Sequence, residues 1–406
     1  MKQNLVCYTC NKEYATQMLY SCPSCGGILD VFRKGKPEDK KIILEGSSIF
    51  RSGLWKYFEM LPVQLPENVI SIGEGETPLI TDYRIADAWG LDVSLHIKAE
   101  SLNPTGSFKD RPSSVGMSVA KEMGLGTVIV ASSGNAAASV AAYAARGGMR
   151  CVVVVPETTD LGKLTQTYAY GAEVIGVKGN YSDCFAFVKK MSKHFGWANL
   201  VSTYINPYTV VGNKTISYEL LHQLGYSVPD YITVPIGTGP LLAGVLQGYR
   251  EMLELGIINK LPKMVGVQVT ECEPIATAYH GGHSVRAWEK PINSIAGGIS
   301  DPLVGYEKDG EKTINLIRSS EGTMVSLSEE EVASATQVIE TKTGLYSEPS
   351  GAVSVGAVKK LYAEGVIKKG ESVVCLLTGS GYKFSNRQMP ELKIAKNVDQ
   401  AIEWVK

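Results

Sequence analysis

Short apolar, β-branched runs alternate with helix-length stretches over most of this chain. The runs Thr127–Ala131 (TVIVA), Cys151–Val155 (CVVVV), Glu173–Val177 (EVIGV), Ile232–Ile236 (ITVPI), Val265–Val269 (VGVQV) and Val373–Leu377 (VVCLL) carry almost no polar interruption. A strand with one wet face alternates in polarity, whereas a strand covered on both faces does not. These six are therefore predicted as strands of parallel sheet with helices on either side. Helices are expected at Ala136–Arg146, Ile216–Leu224 and Glu329–Thr343. Ser328 would cap the last of these, with Glu331 completing a capping box. There is no internal repeat or low-complexity segment, and the fold class is α/β.

In such sheets ligands bind where strand carboxyl ends pass into helix N-termini. Three turns meet that description. TVIVA is followed by Ser132, Ser133, Gly134 and Asn135, then an alanine-rich helix. Taken alone, Asn135 reads as the N-cap of that helix, and the small residues before it form a loop able to receive a carboxylate. ITVPI is followed by Gly237, Thr238, Gly239, Pro240 and Leu241. Small residues there let backbone N–H groups converge on an anion, although no Gly-Lys-Ser/Thr follows as in a P-loop. VVCLL is followed by Thr378, Gly379, Ser380, Gly381, Tyr382 and Lys383, a turn that alone says little. A further segment, SLNPTGSFKDR (101–111), sets Lys109 among small and turn-forming residues.

Composition narrows the class. At 406 residues the chain is long enough for more than one domain. Its formal net charge of -1 gives no electrostatic reason to expect nucleic acid or an anionic membrane as partner. No apolar run approaches the ~20 residues of a spanning helix, and the N-terminus has no signal-peptide stretch, so a cytoplasmic protein is expected. Four of the eight cysteines, Cys7, Cys10, Cys22 and Cys25, form two CxxC pairs within the first 25 residues. Gly26 and Gly27 allow the chain to turn back after the second pair. Such pairs bring four thiolates around one tetrahedral zinc ion, a closed sphere with a structural role. Two redox dithiols or four unrelated cysteines are the alternatives. The remaining cysteines read as small buried hydrophobes. His280 and His283 read as surface-loop residues, and neither a Gly-x-Ser-x-Gly elbow nor a dinucleotide fingerprint is present.

The lysine segment, the asparagine turn, the glycine loop and the terminal Thr-Gly-Ser-Gly occur here in one order. In that order they resemble the fold-type II pyridoxal-phosphate enzymes, and threonine synthases in particular. The likeness spans nearly the whole chain, through GLWKYFEMLPV (53–63), GEGETPL (73–79), NPTGSFKDR (103–111), INPYTVVGNKT (205–215), GLYSEPSGA (344–352) and TGSGYK (378–383). It implies a tryptophan-synthase-β-like fold: two α/β domains with parallel-rich sheets plus an N-terminal zinc ribbon. The implied divisions are 1–32 for the ribbon, 33–60 for a linker and first helix, 61–117 with 213–390 for a large cofactor domain, 118–212 for a small domain, and 391–406 for a C-terminal segment. A homodimer is the expected assembly.

The resemblance also implies roles. Lys109 would form the Schiff base with pyridoxal 5'-phosphate and then move protons on an amino-acid substrate. Asn135 would bond the cofactor's phenolic oxygen, Gly237, Thr238, Gly239 and Leu241 would cradle its phosphate, and Thr378 would face its ring nitrogen. Thr105, Ser132, Ser133 and Asn206 would contact the substrate. Glu348 would approach the site in a packing or hydrogen-bonding role. Removing the zinc is expected to loosen the N-terminus and leave cofactor absorbance largely intact.

Threonine synthases convert O-phosphohomoserine and water to threonine and phosphate, so they hold a second, substrate phosphate. Where they commonly show Asn-Ser-x-Asn-Pro-x-Arg, this chain has Thr203, Tyr204, Ile205, Asn206, Pro207, Tyr208 and Thr209. An arginine fork is the natural grip for a phosphate dianion, and Lys214, Lys163 or Arg111 would have to replace it. The alternative activity is β-replacement or β-elimination on serine, O-phosphoserine, O-acetylserine or threonine. The joint presence of Lys109, Asn135 and Thr378 argues against a catalytically silent binding protein on the same fold.

Overall fold

A computed structural model of the chain describes residues 3–383. The expected C-terminal segment at 391–406, and 384–390 of the large domain, lie outside the described residues. The chain opens with a three-stranded antiparallel sheet, β1 (Asn4–Cys7), β2 (Glu13–Tyr14) and β3 (Leu29–Phe32), with β1 in the middle. A helix, Pro37–Glu45, and a 3-10 stretch, Leu54–Met60, lead from it into the body.

Two parallel-rich sheets make that body. The chain lays down β4 (Leu79–Thr81) and β5 (Ser94–Lys98), then leaves to build β6 (Thr127–Ala131), β7 (Arg150–Pro156), β8 (Glu173–Val177) and β9 (Ala198–Asn199). These four form an all-parallel sheet ordered β8-β7-β6-β9. The chain then returns for β10 (Tyr231–Pro235), β11 (Lys263–Val269), β12 (Thr323–Leu327) and β13 (Ser372–Leu376). The larger sheet runs β12-β11-β10-β13-β5-β4, so β13, the last of the described strands in sequence, lies between β10 and β5.

All six strands read from the apolar runs are present, each within two residues of its expected bounds. Every residue of β10 is buried, because helices cover both faces of the larger sheet and leave no wet side to alternate with. The larger sheet is parallel-rich, as expected, with one antiparallel edge where β4 pairs with β5.

Strand adjacency decides what can meet. In β10, β13 and β5 the neighbours are parallel, so their carboxyl ends emerge side by side. Those ends lead into the glycine loop, the Thr378 turn and the lysine segment respectively. Backbone bonds then stitch two of them together: Phe108 N donates to Thr378 O at 3.0 Å, and Ser380 N to Gly106 O at 2.9 Å. The carboxyl end of β6 brings in the fourth piece, the Ser132–Asn135 turn.

Candidate active site

These four pieces line one cleft of about 1350 Å³. Lys109, Asn135, Gly237, Thr238, Gly239, Leu241, Thr378, Thr105, Ser132 and Ser133 all face it. Asn206 does not. It is fully buried as the N-cap of Pro207–Gly212, accepting from Tyr208 N at 3.0 Å and donating to Asn199 O at 2.9 Å. Its amide serves to turn the chain and does not line the cleft. Thr105 is also committed: its N–H and hydroxyl donate to Asp110 at 2.7 and 2.5 Å. With its only hydroxyl proton on Asp110, Thr105 pins the residue next to Lys109.

The Lys109 amine donates to Ser202 Oγ at 2.5 Å and stands 4.4 Å from the centroid of the Phe108 ring. Burial pulls its pKa down to about 8, against the opposing pull of the Glu348 and Asp301 carboxylates. Asn135 is the first residue of the helix Asn135–Gly147 and not its N-cap, which is Gly134. Its amide instead donates to both Glu348 oxygens, at 3.0 and 2.9 Å. Burial raises the pKa of Glu348 above the ordinary carboxylate value. Gly379 lacks a Cβ for a reason: one placed there would fall 2.1 Å from Glu348 Oε1.

The glycine loop enters the helix Pro240–Glu254, with Pro240 at a position where an N–H would have no intrahelical partner. Gly239 has φ +115°, and a Cβ there would lie 2.1 Å from Thr313 Oγ1. Only glycine permits both the backbone angle and that approach. The loop's amides and the first-turn N–H groups thus form a concavity for an anion. Two further cations line the cleft, Lys163 and Lys383. The Lys383 amine is shielded from water and has no hydrogen-bond partner among the described residues, and burial lowers its pKa. Arg111 and Lys214 are elsewhere, fully buried and paired: Arg111 with Glu100 and Glu219, Lys214 with Glu251. They do not replace the missing arginine.

Ser202, Asp301 and Lys383 reach the site without having been singled out from sequence. Lys383 sits inside a quoted motif and was within reach of reading. Ser202 and Asp301 lie in irregular stretches that carry no local signal.

In the N-terminal three-stranded unit, the sulfurs of Cys7, Cys10, Cys22 and Cys25 lie within 4.8 Å of one another. Gly27 is confined there, since a Cβ would fall 2.9 Å from Cys7 Sγ. Four thiols in that arrangement fit one tetrahedral zinc ion.

A lysine amine made reactive by burial, facing an anion-holding glycine loop across a cleft between two α/β sheets, is the chemistry of a pyridoxal-phosphate enzyme. Residues 70–379 match the family model described as pyridoxal-phosphate dependent enzyme. The chain is 37% identical to the threonine synthase of Methanocaldococcus jannaschii over 380 residues, 93% of this chain and 92% of that one. It is 37% identical to that of Methanosarcina acetivorans over 381 residues, 93% and 91% of the two chains. Among solved structures, a T.th. threonine deaminase superposes with TM-score 0.64 at 26% identity, over 78% of this chain and 94% of that one. Maize serine racemase shares the fold with TM-score 0.65 at 22% identity, over 75% and 88%. The chain belongs to the pyridoxal-phosphate dependent enzyme family and, within it, to the threonine synthases, lyases acting on carbon–oxygen bonds.

Proposed function

We propose that the protein converts O-phosphohomoserine and water to threonine and phosphate. The observation that carries this reading is the pair of lysines, Lys163 and Lys383, in a cleft that already has an anion-holding loop. One phosphate, the cofactor's, belongs on the loop of Gly237, Thr238, Gly239 and Leu241. The buried Lys383 amine feels the Asp110 and Glu348 carboxylates but has no hydrogen-bond partner among the described residues, and an anion beside it would supply one. A substrate with its own phosphate supplies that anion, while Ser132 and Ser133 receive the α-carboxylate.

Lys109, Asn135, Thr378 and the glycine loop would hold the cofactor, which would supply an electron sink there. Lys109 takes and returns protons at the substrate's carbons, and Ser202 fixes the direction of its amine between transfers. The walls of the cleft keep that amine dry enough for a fraction of it to be unprotonated near neutral pH. Glu348 holds the Asn135 amide and places a carboxylate near Lys109, where it favours the protonated amine after each proton is taken.

A second reading, β-elimination or β-replacement on serine, O-phosphoserine, O-acetylserine or threonine, is favoured by one observation. No arginine lines the cleft among the described residues. The test is a paired incubation with O-phosphohomoserine and O-phosphoserine, following phosphate and the amino-acid product. Threonine from the first supports the proposal. Phosphate from the second alone moves the enzyme to β-chemistry.

A further inference from the structure

We propose that Lys312 is a positioning residue through which the cysteine ribbon holds the glycine loop in its anion-binding shape. The proposal rests on the assignment of that loop to the cofactor's phosphate. Lys312 lies on the helix Glu307–Ser319 and is only 2% exposed. Two of its three partners come from the ribbon. Its amine is ion-paired with Asp30, at the middle of β3. It also lies 5.0 Å from the centroid of the Tyr8 ring, between the two CxxC cysteines Cys7 and Cys10. A second lysine one turn back, Lys308, donates to Gly26 O at 2.7 Å in the other cysteine turn.

The third partner faces the active site. The Lys312 amine is 4.7 Å from the centroid of Tyr204, a fully buried ring. The Tyr204 hydroxyl is 3.0 Å from Thr313 Oγ1, and Thr313 Oγ1 is 2.6 Å from Thr238 O in the glycine loop. Thr313 Oγ1 is also 2.9 Å from Asp309 O; both carbonyls only accept, so Thr313 directs its one proton at this pair, with Thr238 O the nearer, and Tyr204 must donate to Thr313. Thr313 is the residue against which Gly239 packs too closely for a Cβ. The sequence Asp30, Lys312, Tyr204, Thr313, Thr238 is therefore a continuous strut from ribbon to loop, with every polar link donor to acceptor or cation to ring.

The physical consequence follows from desolvation. A lysine at this depth is tolerated because a carboxylate and two rings compensate its lost water. Asp30 and Tyr8 are in place only while the ribbon is folded, and a ribbon of this size depends on its metal. Losing them leaves the Lys312 ammonium half compensated. It must then turn towards water, and it takes with it the support under Tyr204 and Thr313. This revises the expectation that metal removal spares cofactor binding.

The test compares wild type with Lys312→Met, which keeps the stem and removes the charge, and with Asp30→Asn, which cuts the strut at its more exposed end. The dissociation constant of pyridoxal phosphate is measured by absorbance titration of the cofactor-free proteins, alongside their melting temperatures. Lys260→Met, which removes an exposed ion pair with Asp230, serves as the control. The expected result is a dissociation constant raised about tenfold in both strut variants, unchanged in the control, and partly recovered by Lys312→Arg. Chelation of the metal should weaken cofactor binding in wild type and add little in Lys312→Met. Wild-type affinity in both strut variants, whatever their melting temperatures, overturns the proposal. Failure of wild type itself to bind pyridoxal phosphate would instead overturn the assignment of the loop.

Discussion

With its pKa near 8, the Lys109 amine is unprotonated in roughly a tenth of molecules at pH 7, against a negligible fraction for an ordinary lysine. Because burial disfavours the charged form, lowering the pH refills the proton and removes the nucleophile. The rate at which cofactor-free protein captures pyridoxal phosphate should therefore climb through pH 7 and level off above about 8. Stopped-flow absorbance across that range reads the midpoint, and a midpoint above 10 would contradict the burial argument. Glu348 opposes the shift, since its negative charge favours the ammonium. Glu348→Gln should move the midpoint to lower pH, whereas a purely steric role would leave it in place. Lys109→Ala should abolish both capture and turnover, and normal turnover by that variant would refute the mechanism. At this scale the sequence was informative about residue type more than partner. Lys109 stood out by its small neighbours, but Asn135 looked like a helix cap because its partner, Glu348, lies 213 positions away. Thr105 and Asn206 looked available because local sequence does not display the hydrogen bonds that already occupy them.

Elements made of uninterrupted apolar residues were legible, since burial on both faces leaves a mark in composition. The capping box at Ser328 was equally legible, and Glu331 N donates to Ser328 Oγ at 3.2 Å while Ser328 N donates to Glu331 Oε2 at 2.8 Å. The strand Ser94–Lys98 was hidden for the opposite reason. It carries His96 and Lys98, and Lys98 is buried inside the sheet because Glu219 neutralises it at 2.6 Å. A polar residue whose partner is 121 positions away makes a core strand read as surface. The glycine loop was recognisable as a loop, but the restriction on Gly239 comes from Thr313 on a distant helix. Gly239→Ala combines a disfavoured backbone angle with that collision. It should lower cofactor affinity by at least about tenfold, read by the same absorbance titration. A variant binding normally would show that the loop relaxes freely.

Across the whole molecule, the helix Asp110–Glu122 that carries the lysine turn is anchored by charges with no access to water. Arg111 forks onto Glu100 at 2.7 and 2.8 Å and onto Glu219 at 2.6 and 2.8 Å, and Glu219 also holds Lys98. Removing the guanidinium would leave two carboxylates competing for one lysine in a dry interior. Arg111→Met should cost roughly 3–5 kcal/mol in denaturant unfolding, far more than loss of the exposed Arg150–Glu173 pair. A loss below about 1 kcal/mol would mean that water reaches the network.

The central place of Ser372–Leu376 in the larger sheet bears on how the protein is made. A ribosome delivers the chain from its N-terminus, so β10 and β5, the flanks of that strand, are both synthesised long before it. Until that strand is released, the two halves of the sheet have no common partner, and their facing edges remain open to other chains. The smaller sheet, complete by residue 199, has no such wait. Birth of the protein should therefore proceed in two stages, with Lys109 waiting for a Thr378 turn translated much later, and with chaperones most in demand in the interval.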